Sequence, residues 1–235
     1  MKIFVSTCDT YDHLLPGFAY LFNKYWGPVP ITVLGFRPPT NLPANFAYQE
    51  LKGKQTDWTS CRRPIVEQLP ADEPILWLLD DYWFYAPVYH TIVDELCAMM
   101  CRREIAKGDL SNNTKGLGAS PFKGHPNYLL ANPAAPYRSS TQTAIWRKDY
   151  LLKLMIPGYS IWQFEIQGQG LCANDKQNIA AYDLTVCRYA NIYYKGGIEN
   201  FQVNKLAATD LQYMWDNDIC REIIKTSTYI KAHSI

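Results

Sequence analysis

The chain has 235 residues, of which 48% are hydrophobic and 19% charged, which predicts a substantial core and excludes a largely disordered protein. Its formal net charge of +1 indicates no global basic field for nucleic acid. Seven cysteines without a Cys-x-x-Cys pair argue against a disulfide framework or a zinc ribbon, so a cytoplasmic protein with reduced thiols is expected. No apolar stretch reaches the roughly 20 residues that a membrane-spanning helix needs, so no membrane span is expected.

The chain alternates apolar, β-branched runs with amphipathic segments. Strands are predicted over residues 2–8, 31–36, 46–51 and 75–79, and helices over residues 14–26, 55–69 and 87–103. A polar stretch at 108–126 is predicted to be a loop, followed by strands at 128–131, 141–146 and 191–194 and by helices at 147–155 and 162–172. This order predicts a single Rossmann-like α/β domain over residues 1–235, with a mixed, mostly parallel central sheet.

The fourth predicted strand ends in two adjacent carboxylates. The apolar run 75–79 is typical of a strand buried on both faces, and Asp80 and Asp81 follow it directly. Open α/β sheets bind their ligands at the carboxyl ends of the strands. Two neighbouring carboxylates repel each other unless a cation or hydrogen-bond donors share the charge, and their oxygens suit Mg²⁺ or Mn²⁺. The pair predicts a divalent ion held against a phosphorylated substrate; the alternative is that the aspartates only begin the next turn.

Three segments together resemble a known family. They are Val5-Ser6-Thr7-Cys8-Asp9; the run 76–84, which is similar to an LLDDYF signature; and the run 139–152 followed by Trp162-Gln163-Phe164-Glu165. The combination resembles GT-A glycosyltransferases, in particular small bacterial and viral sugar transferases. The resemblance implies a GT-A fold in which about residues 1–105 bind a nucleotide-diphosphate sugar and about residues 106–235 face the acceptor. It also implies an Mn²⁺ or Mg²⁺ cofactor and a cytoplasmic enzyme of a bacterium or of a virus-infected cell.

Sugar transfer requires that the charge of the leaving diphosphate is neutralised and that the acceptor hydroxyl loses its proton. Asp81 is the first candidate for the metal ligand, and Asp80 either assists the ion or holds sugar or ribose hydroxyls. Glu165, framed by Trp162 and Phe164, is the candidate general base of an inverting displacement, as the resemblance implies. The alternative for Glu165 is an ordinary acidic residue favoured by the helix dipole.

Further residues are candidates for binding the nucleotide sugar. The resemblance implies that Thr7, Asp9 and Tyr11 contact the base and ribose, although Asp9 is also a possible helix cap. Asp57 and Trp58 begin the helix before the motif strand and are candidates for contacting the donor, with a core position as the alternative for Trp58. The polar groups of Arg138 and Gln142 flank a predicted acceptor-side strand, where they suit sugar or diphosphate.

The acceptor and the enzyme class have alternatives. The acceptor is a hydroxyl on a glycan or on a hydroxymethylated base in DNA, and the basic residues of the stretch 102–123 are candidates for tracking phosphates or for an ordinary solvated face. A nucleotidyltransferase is a second enzyme class, but it favours a glycine-rich phosphate loop after the first strand, which this chain lacks. A non-catalytic nucleotide-sugar-binding module is the third alternative.

Overall fold

A computed structural model describes residues 1–194 and 196–233, apart from the side chain of Leu117. The strands are β1 Lys2–Ser6, β2 Ile31–Gly35, β3 Phe46–Glu50, β4 Ile75–Leu79, β5 Tyr82–Phe84, β6 Lys107–Asp109, β7 Ser120–Pro121, β8 Tyr128–Leu130, β9 Ala144–Trp146, β10 Ile179–Tyr182, β11 Tyr189–Asn191, β12 Tyr193–Tyr194 and β13 Gly197–Ile198. The helices are α1 Leu15–Tyr25, α2 Trp58–Glu67, α3 His90–Cys101, α4 Lys148–Leu154, α5 Ile161–Gln167, α6 Gln169–Cys172, α7 Asn200–Val203, α8 Ala208–Asp216, α9 Arg221–Ile224 and α10 Thr228–His233, with 3₁₀ turns at Asp12–Leu14 and Asn113–Leu117. The predicted α/β class is confirmed.

The chain divides into two compact units by its internal contacts. The first unit comprises Met1–Val5, Glu50–Leu78 and Tyr89–Val186. The second comprises Ser6–Gln49, Leu79–Val88 and the described residues that follow position 186. No helix in the described part of the chain is both long enough and apolar enough to span a membrane.

The sheet of the first unit is mixed. Its strands are neighbours in the order β1-β4-β9-β6-β10-β8-β7. The central strand β6 is antiparallel to β9, where Lys107 lies opposite Trp146, and parallel to β10, where Lys107 lies opposite Ile179. Since the neighbours on both sides supply hydrogen bonds, the sequence Lys-Gly-Asp forms a strand here despite its low strand propensity.

Aromatic rings fill the core of the first unit beside this sheet. The ring centroid of Trp77 in β4 lies 5.5 Å from that of Phe4 and 5.4 Å from that of Trp58. The ring centroids of Trp58 and of Phe164 in α5 are 5.1 Å apart. The ring of Trp146 meets that of Phe164 edge-on, with centroids 6.2 Å apart. These contacts fix α5 against the sheet, because buried aromatic pairs contribute to stability beyond the area that they bury.

The second unit packs α1 against β5. β2 and β3 are neighbours, β5 pairs antiparallel with β11, and β12 pairs antiparallel with β13. Gly17 of α1 allows a close approach, since a Cβ atom there would lie 2.3 Å from Cζ2 of Trp83. Any larger residue at position 17 would therefore push α1 away from the buried Trp83 ring.

The predicted elements agree with the structure in most of the first part of the chain. The strand prediction at 75–79 is confirmed with the same bounds. The loop prediction at 108–126 is wrong in part, because this stretch contains the end of β6, a 3₁₀ turn and the short strand β7. The strand β10 and the helices from α7 onward were not expected from the sequence.

Candidate functional site

The motif aspartates form the tight turn between β4 and β5 in the second unit. Asp80 is buried, and its backbone carbonyl accepts a hydrogen bond from Nε1 of Trp83 (3.2 Å). The backbone carbonyl of Asp81 accepts from the amide of Ile192 (2.8 Å). The side-chain amide of Asn191, turned so that both of its ends are satisfied, donates to Oδ2 of Asp81 (3.1 Å). The turn is therefore held on both its backbone and its side chains.

Tyr11 is brought close to the two motif carboxylates. Burial raises the pKa of the Tyr11 hydroxyl, and the nearby Cys8, Asp81, Tyr193 and Asp80 raise it further. The Tyr11 ring meets the ring of Tyr193 edge-on, with centroids 5.1 Å apart. Because its proton is retained, this phenol is a hydrogen-bond donor beside two acceptors. We call Tyr11, Asp80, Asp81, Asn191 and Tyr193 the Asp81 cluster.

The other two residues predicted to contact the base and ribose lie on the same loop. Thr7 is buried, its amide donates to the carbonyl of Leu34 (2.9 Å), and its hydroxyl donates to the carbonyl of Cys8 (3.3 Å). Asp9 forms an ion pair with Nε of Arg37 (3.3 Å). The structure thus places an arginine, which was not predicted as a site residue, against one of the candidate residues.

Glu165 lies on α5 in the first unit, and its carboxylate accepts hydrogen bonds from Thr141. The helix begins with a capping box between Ser160 and Gln163. Oε1 of Glu165 accepts hydrogen bonds from the amide of Thr141 (2.5 Å) and from its hydroxyl (2.6 Å). Among the residues that the structure describes, none donates to Oε2 of Glu165. One oxygen is therefore fixed while the other remains able to accept a proton.

The guanidinium of Arg138 donates hydrogen bonds to backbone carbonyls of the protein. The residue is 3% exposed, and its Nε donates to the carbonyl of Cys172 (3.0 Å). Its two terminal nitrogens donate to three further backbone carbonyls and lie beside Asp175; the carbonyls are those of Ala131 (3.4 Å), Asn132 (3.2 Å) and Gln177 (2.7 Å), and Asp175 is 3.6 Å away. Four of the five donors of the guanidinium therefore bind backbone carbonyls, and the group also forms an ion pair with Asp175. These contacts favour a structural role for Arg138, and binding of the donor by this residue stays a prediction.

The other three residues predicted to bind the donor lie at a helix cap, in the aromatic core and beside a small cavity. Asp57 caps α2, since its carboxylate accepts a hydrogen bond from the amide of Ser60 (3.0 Å). Trp58 is buried between Trp77 and Phe164, which agrees with the core position given above as its alternative; contact with the donor stays a prediction. Gln142 lines a small cavity of the first unit, formed with Lys107, Asp109, Tyr137, Arg138 and Ser140.

No model of a known protein family matches the chain, and no curated protein matches it in sequence. Several solved structures are similar in fold. TarS of S. aureus is 14% identical over 92% of this chain, with a TM-score of 0.46, and the chain spans 40% of the TarS chain. A UDP-glucose pyrophosphorylase complexed with UDP-glucose is 10% identical, with 81% of this chain and 92% of that chain covered and a TM-score of 0.47. The galactosyltransferase LgtC in complex with donor and acceptor sugar analogues is 12% identical, with 75% and 66% covered and a TM-score of 0.38.

Two groups near the predicted site residues were missed by the sequence analysis. Asn191 is the first residue of the strand predicted at 191–194, and nothing in its local sequence indicates that it contacts Asp81. Lys107 and Asp109 are two positions apart in β6, so their side chains point to the same face of the sheet. The sequence signal for these two residues is their spacing of two after the apolar pair Ile105-Ala106, which is typical of one face of a strand.

The basic stretch 102–123 is largely neutralised by nearby carboxylates. Arg102 pairs with Glu104 (2.7 Å), Arg103 with Asp149 (2.6 Å) and Lys115 with Asp183 (2.6 Å); Lys107 is buried in the sheet. Binding to a nucleic acid depends on lysines and arginines that are able to neutralise phosphates. Lys123 is exposed, and whether this stretch contacts an acceptor stays a prediction.

Proposed function

We propose that this chain is an inverting glycosyltransferase that moves a sugar from a nucleotide-diphosphate sugar to an acceptor hydroxyl, assisted by Mn²⁺ or Mg²⁺. The observation that carries the proposal is the state of Glu165. Both donors of Thr141 bind Oε1, and among the described residues none donates to Oε2. A carboxylate that is fixed through one oxygen is suited to accept a proton on the other.

The proposed reaction has one displacement step. Oε2 of Glu165 takes the proton of the acceptor hydroxyl while that oxygen forms a bond to the anomeric carbon of the sugar. The bond between this carbon and the diphosphate oxygen breaks, and the nucleoside diphosphate leaves with the electron pair. Attack from the face opposite the leaving group inverts the anomeric configuration. The Thr141 donors keep the Glu165 carboxylate oriented before the step.

Asp80 and Asp81 are the residues that would hold the metal ion. Two adjacent carboxylates provide the hard oxygen donors that Mg²⁺ and Mn²⁺ prefer, and Mg²⁺ is usually bound by one or two carboxylates together with substrate phosphates. No group of three or more histidine, cysteine, aspartate or glutamate side chains is placed to hold an ion within the described part of the chain. This donor set fits an ion that the diphosphate helps to bind. When bound, the ion neutralises charge on the leaving diphosphate.

Asp81→Asn is expected to remove most of the metal-dependent affinity for a nucleoside diphosphate. The substitution takes away the negative charge that attracts the ion but keeps the shape of the side chain and its contact with Asn191. Titration calorimetry with UDP and with GDP, first with Mn²⁺ and then with chelator, measures the effect. Asp80→Asn is expected to weaken binding of the nucleotide sugar more than binding of the ion.

The matched control for this experiment is Asp218→Asn, an exposed aspartate of the second unit that pairs with Arg221. It should bind as the unmodified protein does. Equal, weak nucleotide binding with and without Mn²⁺ in the unmodified protein would remove the ion from the proposed mechanism.

The proposed activity itself is tested by incubating the protein with a panel of nucleotide sugars and following release of the nucleoside diphosphate with and without Mn²⁺. Stimulated release, with the sugar appearing on an added hydroxyl acceptor, is the expected result. Formation of a sugar nucleotide from a nucleoside triphosphate and a sugar phosphate would instead indicate a nucleotidyltransferase. Binding without turnover of any donor would indicate a nucleotide-sugar-binding module.

A further inference from the structure

Lys107 is a buried lysine in the middle of the sheet of the first unit. Lys107 is 4% exposed and lies in β6, which has β9 on one side and β10 on the other. Removing an ammonium ion from water is costly unless other groups compensate for the lost hydration. The groups that surround Lys107 therefore indicate what its charge is used for.

The ammonium group contacts two backbone carbonyls and one aromatic ring. Nζ donates to the carbonyl of Ser140 (2.7 Å) and to the carbonyl of Arg138 (3.2 Å). It also lies 4.3 Å from the centre of the Trp146 ring, where the face of the ring attracts a cation. Lys107 thus donates its hydrogen bonds to the backbone at residues 138 and 140 and packs against the ring of Trp146.

The same segment holds Glu165. The two carbonyls bound by Lys107 lie on either side of Ser139, whose hydroxyl donates to the backbone carbonyl of Glu165 (2.8 Å). The next residue, Thr141, donates to Oε1 of Glu165 through both its amide and its hydroxyl. Residues 138–141, which we call the bridging segment, therefore touch Lys107 on one side and Glu165 on the other.

The charge of Lys107 responds to pH in an accessible range. Burial lowers the pKa of Lys107 to about 8; Asp109, Glu165 and Cys172 act in the opposite direction, and Arg138 lowers it further. An exposed lysine titrates near pH 10.4. Lys107 is therefore charged at neutral pH and loses its proton about two pH units earlier than an exposed lysine would.

We propose that Lys107 is a positioning residue for Glu165 and acts through the backbone of the bridging segment. The proposal rests on the proposed role of Glu165 as general base. The ammonium fixes the carbonyls of Arg138 and Ser140, and this fixes the Thr141 donors that orient the Glu165 carboxylate. A neutral amine forms weaker hydrogen bonds to the same carbonyls, so deprotonation of Lys107 loosens the bridging segment.

The structural part of the proposal is tested by NMR on the unmodified protein. Lysine labelled with ¹³C at Cε reports the protonation of Lys107, and the ¹⁵N-labelled amide of Thr141 reports its hydrogen bond to Glu165. Between about pH 7 and about pH 9.5, both signals should follow one-proton curves with a common midpoint near 8. In Lys107→Met, which assigns the lysine signal, the Thr141 amide should show no inflection in this range.

The functional part is tested by the pH dependence of turnover. The kcat of the unmodified protein should fall above about pH 8 with the midpoint seen by NMR. Lys107→Met should lower kcat about tenfold or more, with the KM for the nucleotide sugar within about twofold, and should lose this alkaline limb. Lys52→Met, an exposed lysine of the same unit that pairs with Glu50, is the matched control and should keep both kcat and the limb.

Several results would overturn the proposal. A Thr141 amide that stays constant while Lys107 titrates would show that the bridging segment does not transmit the change. A Lys107→Met variant with raised KM and unchanged kcat would mean that Lys107 binds substrate directly. If no donor is turned over, the proposed function fails, but the NMR titration of the unmodified protein still decides whether Lys107 and Thr141 are linked, even where the variant does not fold.

Discussion

Glu165→Gln should abolish sugar transfer and leave binding of the nucleotide sugar near normal. The glutamine carbonyl oxygen can still accept both hydrogen bonds from Thr141, so the local structure is expected to persist. The amide cannot take a proton from the acceptor, and removal of a general base costs about 10² to 10⁴ in rate. Turnover is measured with saturating donor, and donor affinity is measured separately by calorimetry.

The matched control for Glu165→Gln is Glu67→Gln, which changes a glutamate of the first unit that pairs with Arg63. It should turn over donor at the rate of the unmodified protein. If Glu165→Gln kept more than about half of the turnover, Glu165 would not be the base, since even a weak general base contributes more than this. Asp149 and Asp175 would then be the next carboxylates to substitute.

The strands that lie in continuous apolar runs were predictable from the sequence. The run 75–79 predicts a strand that is buried on both faces, and β4 has these bounds because β1 and β9 flank it in the sheet. β6 was not predicted, because its Lys-Gly-Asp sequence has low strand propensity and its hydrogen bonds come from β9 and β10, which are distant in the chain. Such neighbours become visible only when the topology is known.

The candidate site also contains some residues that a local sequence pattern indicates and others whose surroundings depend on distant parts of the chain. Asp80 and Asp81 were located by a local pattern, an apolar run that ends in two carboxylates, and the structure places Tyr11 beside them. The surroundings of Arg138 were not predictable, because its guanidinium is satisfied by carbonyls up to 39 positions away in the chain. An arginine suits a diphosphate in one environment, whereas in this one it donates hydrogen bonds to backbone carbonyls.

The far end of the chain is joined to its beginning by one buried carboxylate. Asp210 of α8 is fully buried and accepts hydrogen bonds from the hydroxyls of Tyr20 (2.8 Å) and Tyr25 (2.5 Å). Lys24 also pairs with it, so that all three partners lie on α1 of the same unit. Burial, followed by the hydrogen bond to Asp210, raises the pKa of both tyrosines, so their hydroxyls remain donors.

Asp210→Ala should therefore destabilise the fold strongly. The substitution leaves two partly buried hydroxyls and a largely exposed ammonium without their common acceptor, and hydrogen-bonding groups left unsatisfied cost about 1–3 kcal/mol each when buried. Urea unfolding followed by far-UV circular dichroism measures the loss in free energy of unfolding. Asp216→Ala, at an exposed position of the same helix, should cost less than about 1 kcal/mol. A similarly small loss for Asp210→Ala would mean that α8 is held by its apolar residues, Leu211 and Met214, and not by the carboxylate.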